Sequence, residues 1–146
     1  MKKQFTLIFM MFVMVGLISS CKKDDEKSVT EKITGPSCWS LAKVEEKDDS
    51  GNYQDVTDED YDACELDDCA KFNSNGTYIL NDTGDKCPGS TDPVEEGTWS
   101  LSNSDKTFTI IAEGFPLLTT IESITDNQMV LTASLFDTDL RITYKN

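Results

Sequence analysis

The sequence predicts an all-β domain, an antiparallel up-and-down meander of about eight short strands that closes into a small barrel. Two observations carry this expectation. Apolar residues recur with period two, so that alternate side chains share one face: Leu140, Ile142 and Tyr144 alternate with Asp139, Arg141 and Thr143. Between such segments stand residues that bond their own backbone or tolerate positive φ, in Asn75-Gly76, Asp82-Thr83-Gly84, Asn103-Ser104-Asp105, Glu113-Gly114 and Asp126-Asn127. Short turns make successive strands antiparallel neighbours, and closing the meander leaves no exposed edge.

Taken in chain order, the first element is not part of that domain. Lys2 and Lys3 precede an apolar run over 5–18, broken only by Thr6 and Gly16 and ending at Ser19-Ser20-Cys21. This is the layout of a signal peptide. The run is shorter than the roughly 20 apolar residues a membrane helix wants, so residues 1–20 read as a processed segment. Ile18-Ser19-Ser20-Cys21 resembles the bacterial lipobox, which implies a diacylglycerol on the Cys21 sulfur, a palmitate-type acyl chain on its new amine, and a membrane anchor. Two or more chains make such an anchor stable. The following Lys22-Lys23-Asp24-Asp25 is similar to a signal that sends lipoproteins to the outer face of the outer membrane in some Gram-negative bacteria. Residues 21–34, polar and without periodicity, read as a flexible tether, and 35–146 as the barrel domain.

The strands are expected at 38–45, 66–73, 77–81, 97–102, 107–112, 117–124, 129–134 and 140–144. Their apolar faces nominate a core of Trp39, Leu41, Phe72, Tyr78, Trp99, Leu101, Phe108, Ile110, Ile121, Ile124, Met129, Leu131, Leu140, Ile142 and Tyr144. The connection over 46–65 is far longer than a hairpin needs, a length usually reserved for functional lids or disordered loops. Between 45 and 68 there are twelve carboxylates and a single basic residue, Lys47. Calcium takes several such oxygens, and Asp48-Asp49-Ser50-Gly51-Asn52 or Asp58-Glu59-Asp60-Tyr61-Asp62 could supply them. Neither has the spacing of an EF-hand loop, and a solvated acidic loop is the preferred reading; no metal and no cofactor are expected.

Composition narrows the function. Without residues 1–20 the chain has 126 residues, 11 basic against 27 acidic, a net charge of −16. Such a surface repels nucleic acid and anionic headgroups. Histidine is absent throughout, which removes the commonest general base and metal ligand. There is no Gly-x-Ser-x-Gly elbow and no phosphate loop. Asp67 and Asp68 are adjacent, so on a strand they would face opposite sides and could not serve as the two acids of a glycosidase. No enzyme is expected.

Once Cys21 carries lipid, Cys38, Cys64, Cys69 and Cys87 remain, an even number in an exported chain, which reads as two disulfides. The spacing lacks the close pairs of zinc modules. Three pairings are open, and spacing does not choose among them.

Several segments together resemble the lipocalin-like domains found as short bacterial lipoproteins. They are Gly35-Pro36-Ser37-Cys38-Trp39-Ser40-Leu41, then Cys64 with Asp67-Asp68 and Phe72-Asn73-Ser74-Asn75-Gly76-Thr77-Tyr78, then Cys87, Gly97-Thr98-Trp99-Ser100-Leu101, Thr109-Ile110, and Ile121 through Asp126-Asn127-Gln128-Met129-Val130-Leu131-Thr132. The resemblance implies a small antiparallel barrel, a Cys64 to Cys87 bridge, and by default a Cys38 to Cys69 bridge. It also implies that a small apolar ligand is held in the barrel mouth, with Trp39, Phe72, Tyr78 and Trp99 as candidate lining. A barrel of about eight strands can equally be filled by its own side chains. Two functions therefore stand as expectations: a carrier or sensor of a small apolar ligand, or a surface module meeting another envelope protein, a glycan or a cation through acidic loops.

Overall fold

A computed structural model describes residues 26–146. The signal peptide expected at 1–20, the lipidation site Cys21 and the sorting signal at 22–25 lie outside the described residues. Nine strands form one antiparallel sheet: β1 Ser40–Lys47, β2 Tyr53–Asp55, β3 Cys69–Phe72, β4 Thr77–Asn81, β5 Glu95–Ser102, β6 Thr107–Ala112, β7 Phe115–Ile124, β8 Gln128–Leu135 and β9 Thr138–Lys145. Their order in space is β2-β1-β9-β8-β7-β6-β5-β4-β3. From β3 to β9 each strand pairs with the next, and β9 folds back beside β1, the wrap of a meander on its way to closure. Three short helices, α1 Val29–Thr34, α2 Thr57–Asp60 and α3 Ala63–Leu66, complete the domain.

The turns follow from their residues. Gly76 takes φ +85° and its N–H bonds the Asn73 carbonyl at 2.9 Å, reversing the chain between β3 and β4. Between β6 and β7, Glu113 and Gly114 are both left-handed, the two-residue hairpin geometry whose twist matches that of the strands. Gly97 on β5 answers a different need: a Cβ there would run into the main-chain carbonyl of Ile111 on β6.

Closure is where the structure departs from a complete barrel. The hydrogen-bonded ladder is open between the edge strands β2 and β3. The seam is joined by a single antiparallel bridge, Trp39 with Ala70, in which each N–H donates to the other carbonyl at 2.9 Å. One residue from each bridge position, Cys38 and Cys69 are disulfide-bonded, with Cα atoms 5.1 Å apart. β3 has four residues, and from Ser40 onward β1 pairs with β9, with a bulge in that ladder between Leu41 and Lys43. A second disulfide, Cys64 to Cys87 with Cα atoms 5.3 Å apart, ties α3 to the loop after β4.

Two segments are more ordered than their composition implies. The long connection over 46–65 contains β2, α2 and α3, which makes nine strands where about eight are expected. Asp48 starts the return: its carboxylate accepts from the N–H groups of Ser50 and Asn52, both at 2.9 Å, and Gly51 is left-handed. Thr57 then pins the segment to β1, accepting from the Val44 N–H at 2.9 Å and donating to Asp55 at 2.6 Å. The second segment is 29–34, expected as tether. Here Ser28 and Glu31 cap each other, the Ser28 hydroxyl accepting from the Glu31 N–H at 3.2 Å and the Glu31 carboxylate from the Ser28 N–H at 2.7 Å. Val29 and Ile33, one helical turn apart, then face the core. Ile33 is fully buried, and its carbonyl accepts from the Trp39 indole N–H at 2.9 Å.

The core contains all fifteen nominated residues. Trp39, Phe72, Tyr78, Trp99, Phe108, Ile110, Met129, Leu131 and Ile142 are buried, and Leu41, Leu101, Ile121, Ile124, Leu140 and Tyr144 pack against them; Ile33 and Ala70 join from outside the nominated set. At one end α1 lies across the opening, and Lys27 just before it reaches Asp126 in the β7–β8 turn at 3.0 Å. The opposite end carries the β6–β7 and β8–β9 turns.

Candidate functional site

The two ends of the sheet are packed differently. At the end that α1 covers, Phe72 stacks on Tyr78 with ring centroids 5.2 Å apart and meets Phe108 edge-on at 5.2 Å. Trp99 stands 6.1 Å from Phe72 and 5.7 Å from Phe108, and its indole N–H donates to the Asn73 carbonyl at 2.9 Å. The four rings contact one another in one aromatic cluster. Phe72 and Trp99, two of the four candidate lining residues, are buried members of the core cluster.

The other end is hollow. A cavity of about 540 Å³ is lined by Ile110, Ala112, Leu117 and Leu135 on its walls, Tyr78, Tyr144 and Glu95 deeper in, and Glu113, Phe115, Pro116 and Phe136 at its rim. A smaller hollow of about 180 Å³ lies along the seam under α2 and α3, lined among others by Trp39, Leu41, Ala70, Leu80 and Val94, with Tyr61, Glu65 and Asp68. Tyr78 and Tyr144 line both hollows. Of the other two candidates, Trp39 lines the small hollow alone and Tyr78 lines both.

Strand alternation puts the walls in place. Gly97, Ala112 and Tyr78 come together across β4, β5 and β6, since Gly97 pairs with both of the others. Ala112 lines the hollow and leaves room where a larger side chain would have filled it, while Gly97 lets β6 approach β5 closely, the place of its Cβ being taken by the Ile111 carbonyl. The rim is made by turns. Phe136 begins the β8–β9 turn at φ +49° and is wholly exposed; Phe115 opens β7 and is 78% exposed. A left-handed backbone under a bulky aromatic is uncommon, and a fully solvated phenylalanine contributes no packing in return.

The polar groups have distinct electrostatic settings. Burial first, with Tyr144 and Glu95 adding, holds the Tyr78 hydroxyl far above its ordinary range. Burial, then Tyr61 and Glu95, pushes the Tyr144 hydroxyl up to about 12. Both phenols are thus neutral donors at ordinary pH. Asp68 is 8% exposed. Burial raises its pKa, the Thr83 N–H at 3.3 Å opposes that shift, and Asp82, Asp67 and Glu65 add to it.

Among the described residues, no three carboxylates or cysteines gather in a way that could hold a metal ion. Two carboxylates of the acidic loop serve the backbone instead. Asp48 has its pKa lowered chiefly by the Asn52 N–H, and Asp55 by the Thr57 hydroxyl and N–H. Asp58, Glu59 and Asp60 stand exposed on α2. Sequence reasoning missed Glu95, which lies two residues before the expected start of its strand. Phe115, Pro116 and Phe136, by contrast, are legible in the sequence as apolar residues beside turns that could stand at a rim, and all three line the large hollow.

No curated protein matches the chain. A family model described as a lipocalin-like domain matches residues 33–131, a span that runs from the buried end of α1 to the middle of β8 and includes both disulfides, Trp39, Tyr78 and Glu95. Domains of this family are typically non-enzymatic binding modules, and the chain belongs to the lipocalin-like domain family.

Proposed function

We propose that this protein binds a small apolar ligand in the open end of its barrel, as a carrier or sensor held at the outer membrane of a bacterium by a lipid on Cys21. The observation that carries the binding reading is the hollow of about 540 Å³, apolar on its walls and open at the rim, within the size range of small-molecule sites. The membership of a binding-domain family supports it. The anchor rests on the apolar run at 5–18 and the Ser19-Ser20-Cys21 junction, and the sequence 22–25 supports display on the outer face.

A fluorescent apolar probe such as N-phenyl-1-naphthylamine tests the binding reading. Saturable micromolar binding is expected, and it should be lost when Ala112→Trp fills the wall while the circular dichroism spectrum is kept. Absence of saturable binding by the unaltered protein would refute a ligand site. The exposed acidic face of α2, with Asp58, Glu59 and Asp60, favours a second reading, a surface module that meets a basic partner. Under that reading Ala112→Trp changes nothing, and neutralising those three carboxylates abolishes the interaction.

A further inference from the structure

We infer that the ligand class is a hydrophobic amine, an apolar body with a cationic head, and not a fatty acid or other anionic amphiphile. This rests on the reading of the barrel mouth as a ligand site and goes further by choosing the head group. The charged groups lining the large hollow are Glu95 and Glu113, and those lining the small one are Glu65 and Asp68. Neither hollow is lined by a lysine or an arginine.

Four of the described cations on or near these strands are engaged elsewhere. Lys43 pairs with Glu45 at 2.7 Å, Lys47 with Asp139 at 3.3 Å, and Arg141 with Glu122 at 3.0 Å while lying 4.0 Å from the Tyr53 ring centroid. Lys86 lies between Asp82 and Asp92 at 3.7 and 3.8 Å. Glu95 and Asp68 form no ion pair among the described residues. A carboxylate ligand would therefore enter a partly desolvated space with uncompensated negative charge, where like charges cost more than in water. An ammonium head would meet the opposite field, and the rings of Tyr78 and Tyr144 add aromatic surface of the kind that attracts cations. The two phenol hydroxyls suit a neutral acceptor as well, so an alcohol is tolerated and ranks between.

Calorimetry on the purified full chain with three probes of one tail length, decylammonium, decanol and decanoate, tests this directly. Decylammonium should bind about tenfold or more tighter than decanol, with decanoate weakest. Glu95→Gln should shrink the ratio of ammonium to decanol affinity severalfold, with the circular dichroism spectrum kept; an unchanged ratio in the folded variant would overturn the role of Glu95, and the order among the three probes on the unaltered protein tests the head group independently. If decanol binds and decylammonium does no better, or decanoate matches it, the head-group inference is overturned while the apolar site stands. If none of the three binds, the site reading falls and the inference with it.

Discussion

The two ends of this barrel are built from the same strands to opposite specifications. The end under α1 holds Phe72, Trp99, Phe108 and Ile33, all buried in one cluster, with the indole N–H groups of Trp39 and Trp99 paired to carbonyls. The open end has an alanine, Ala112, where bulk would fit, an exposed phenylalanine on a left-handed backbone, and carboxylates without cations. Residues at the sealed end are placed for stability. Those at the mouth tolerate local cost, the usual signature of a site whose geometry serves something other than folding.

Substitutions should separate the two ends, and the largest effect belongs to the sealed one. Phe72→Ala removes the ring at the centre of the aromatic cluster and should cost about 3–5 kcal/mol, read by urea denaturation; a loss near 1 kcal/mol would mean that the cluster collapses around the gap and is less rigid than its contacts imply. The seam comes next. Replacing Cys38 and Cys69 together by serine opens a covalent loop with a sequence separation of 31, and should cost about 3–4 kcal/mol in the chain-entropy model. Because a single bridge otherwise joins the seam, hydrogen exchange at the Trp39 and Ala70 amides should rise more than at β6 or β8. The smallest effect should have the opposite sign. Phe136→Asn relieves a left-handed residue that packs on nothing and should stabilise the fold by about 1 kcal/mol, while weakening apolar-probe binding at the rim. A destabilised Phe136→Asn would show that the exposed ring is held by contacts after all.

The legible part of the fold is the part governed by period and turn chemistry. Alternation in 107–112 and 77–81 places β6 and β4 at their observed bounds, and alternation in 140–144 identifies the inward face of β9. What was illegible falls into two kinds. The helix α1 was hidden by the polarity of 21–34, although Ser28 and Glu31 have the capping-box spacing and Val29 and Ile33 the helical one. The strand β2 was hidden because three residues show no period; its signal is the Asp48 to Asn52 turn, whose carboxylates suggested ligands but bond the backbone. For the site, Trp39, Phe72, Tyr78 and Trp99 have the same character in sequence. Which of them meets empty space depends on the neighbours across the sheet, such as Ala112 beside Tyr78 in the large hollow, a relation that no single segment contains.

The position of α1 also gives the domain a heading. The chain comes in at the sealed end, where Lys27 is tied to the β7–β8 turn and Ile33 to Trp39, and the cavity opens at the far pole, beside Phe115 and Phe136. Whatever holds the residues before 26 therefore holds the domain by its floor. On a membrane, that arrangement aims the aperture at the surrounding medium, so that cargo would be captured from solution and not drawn up from the bilayer beneath.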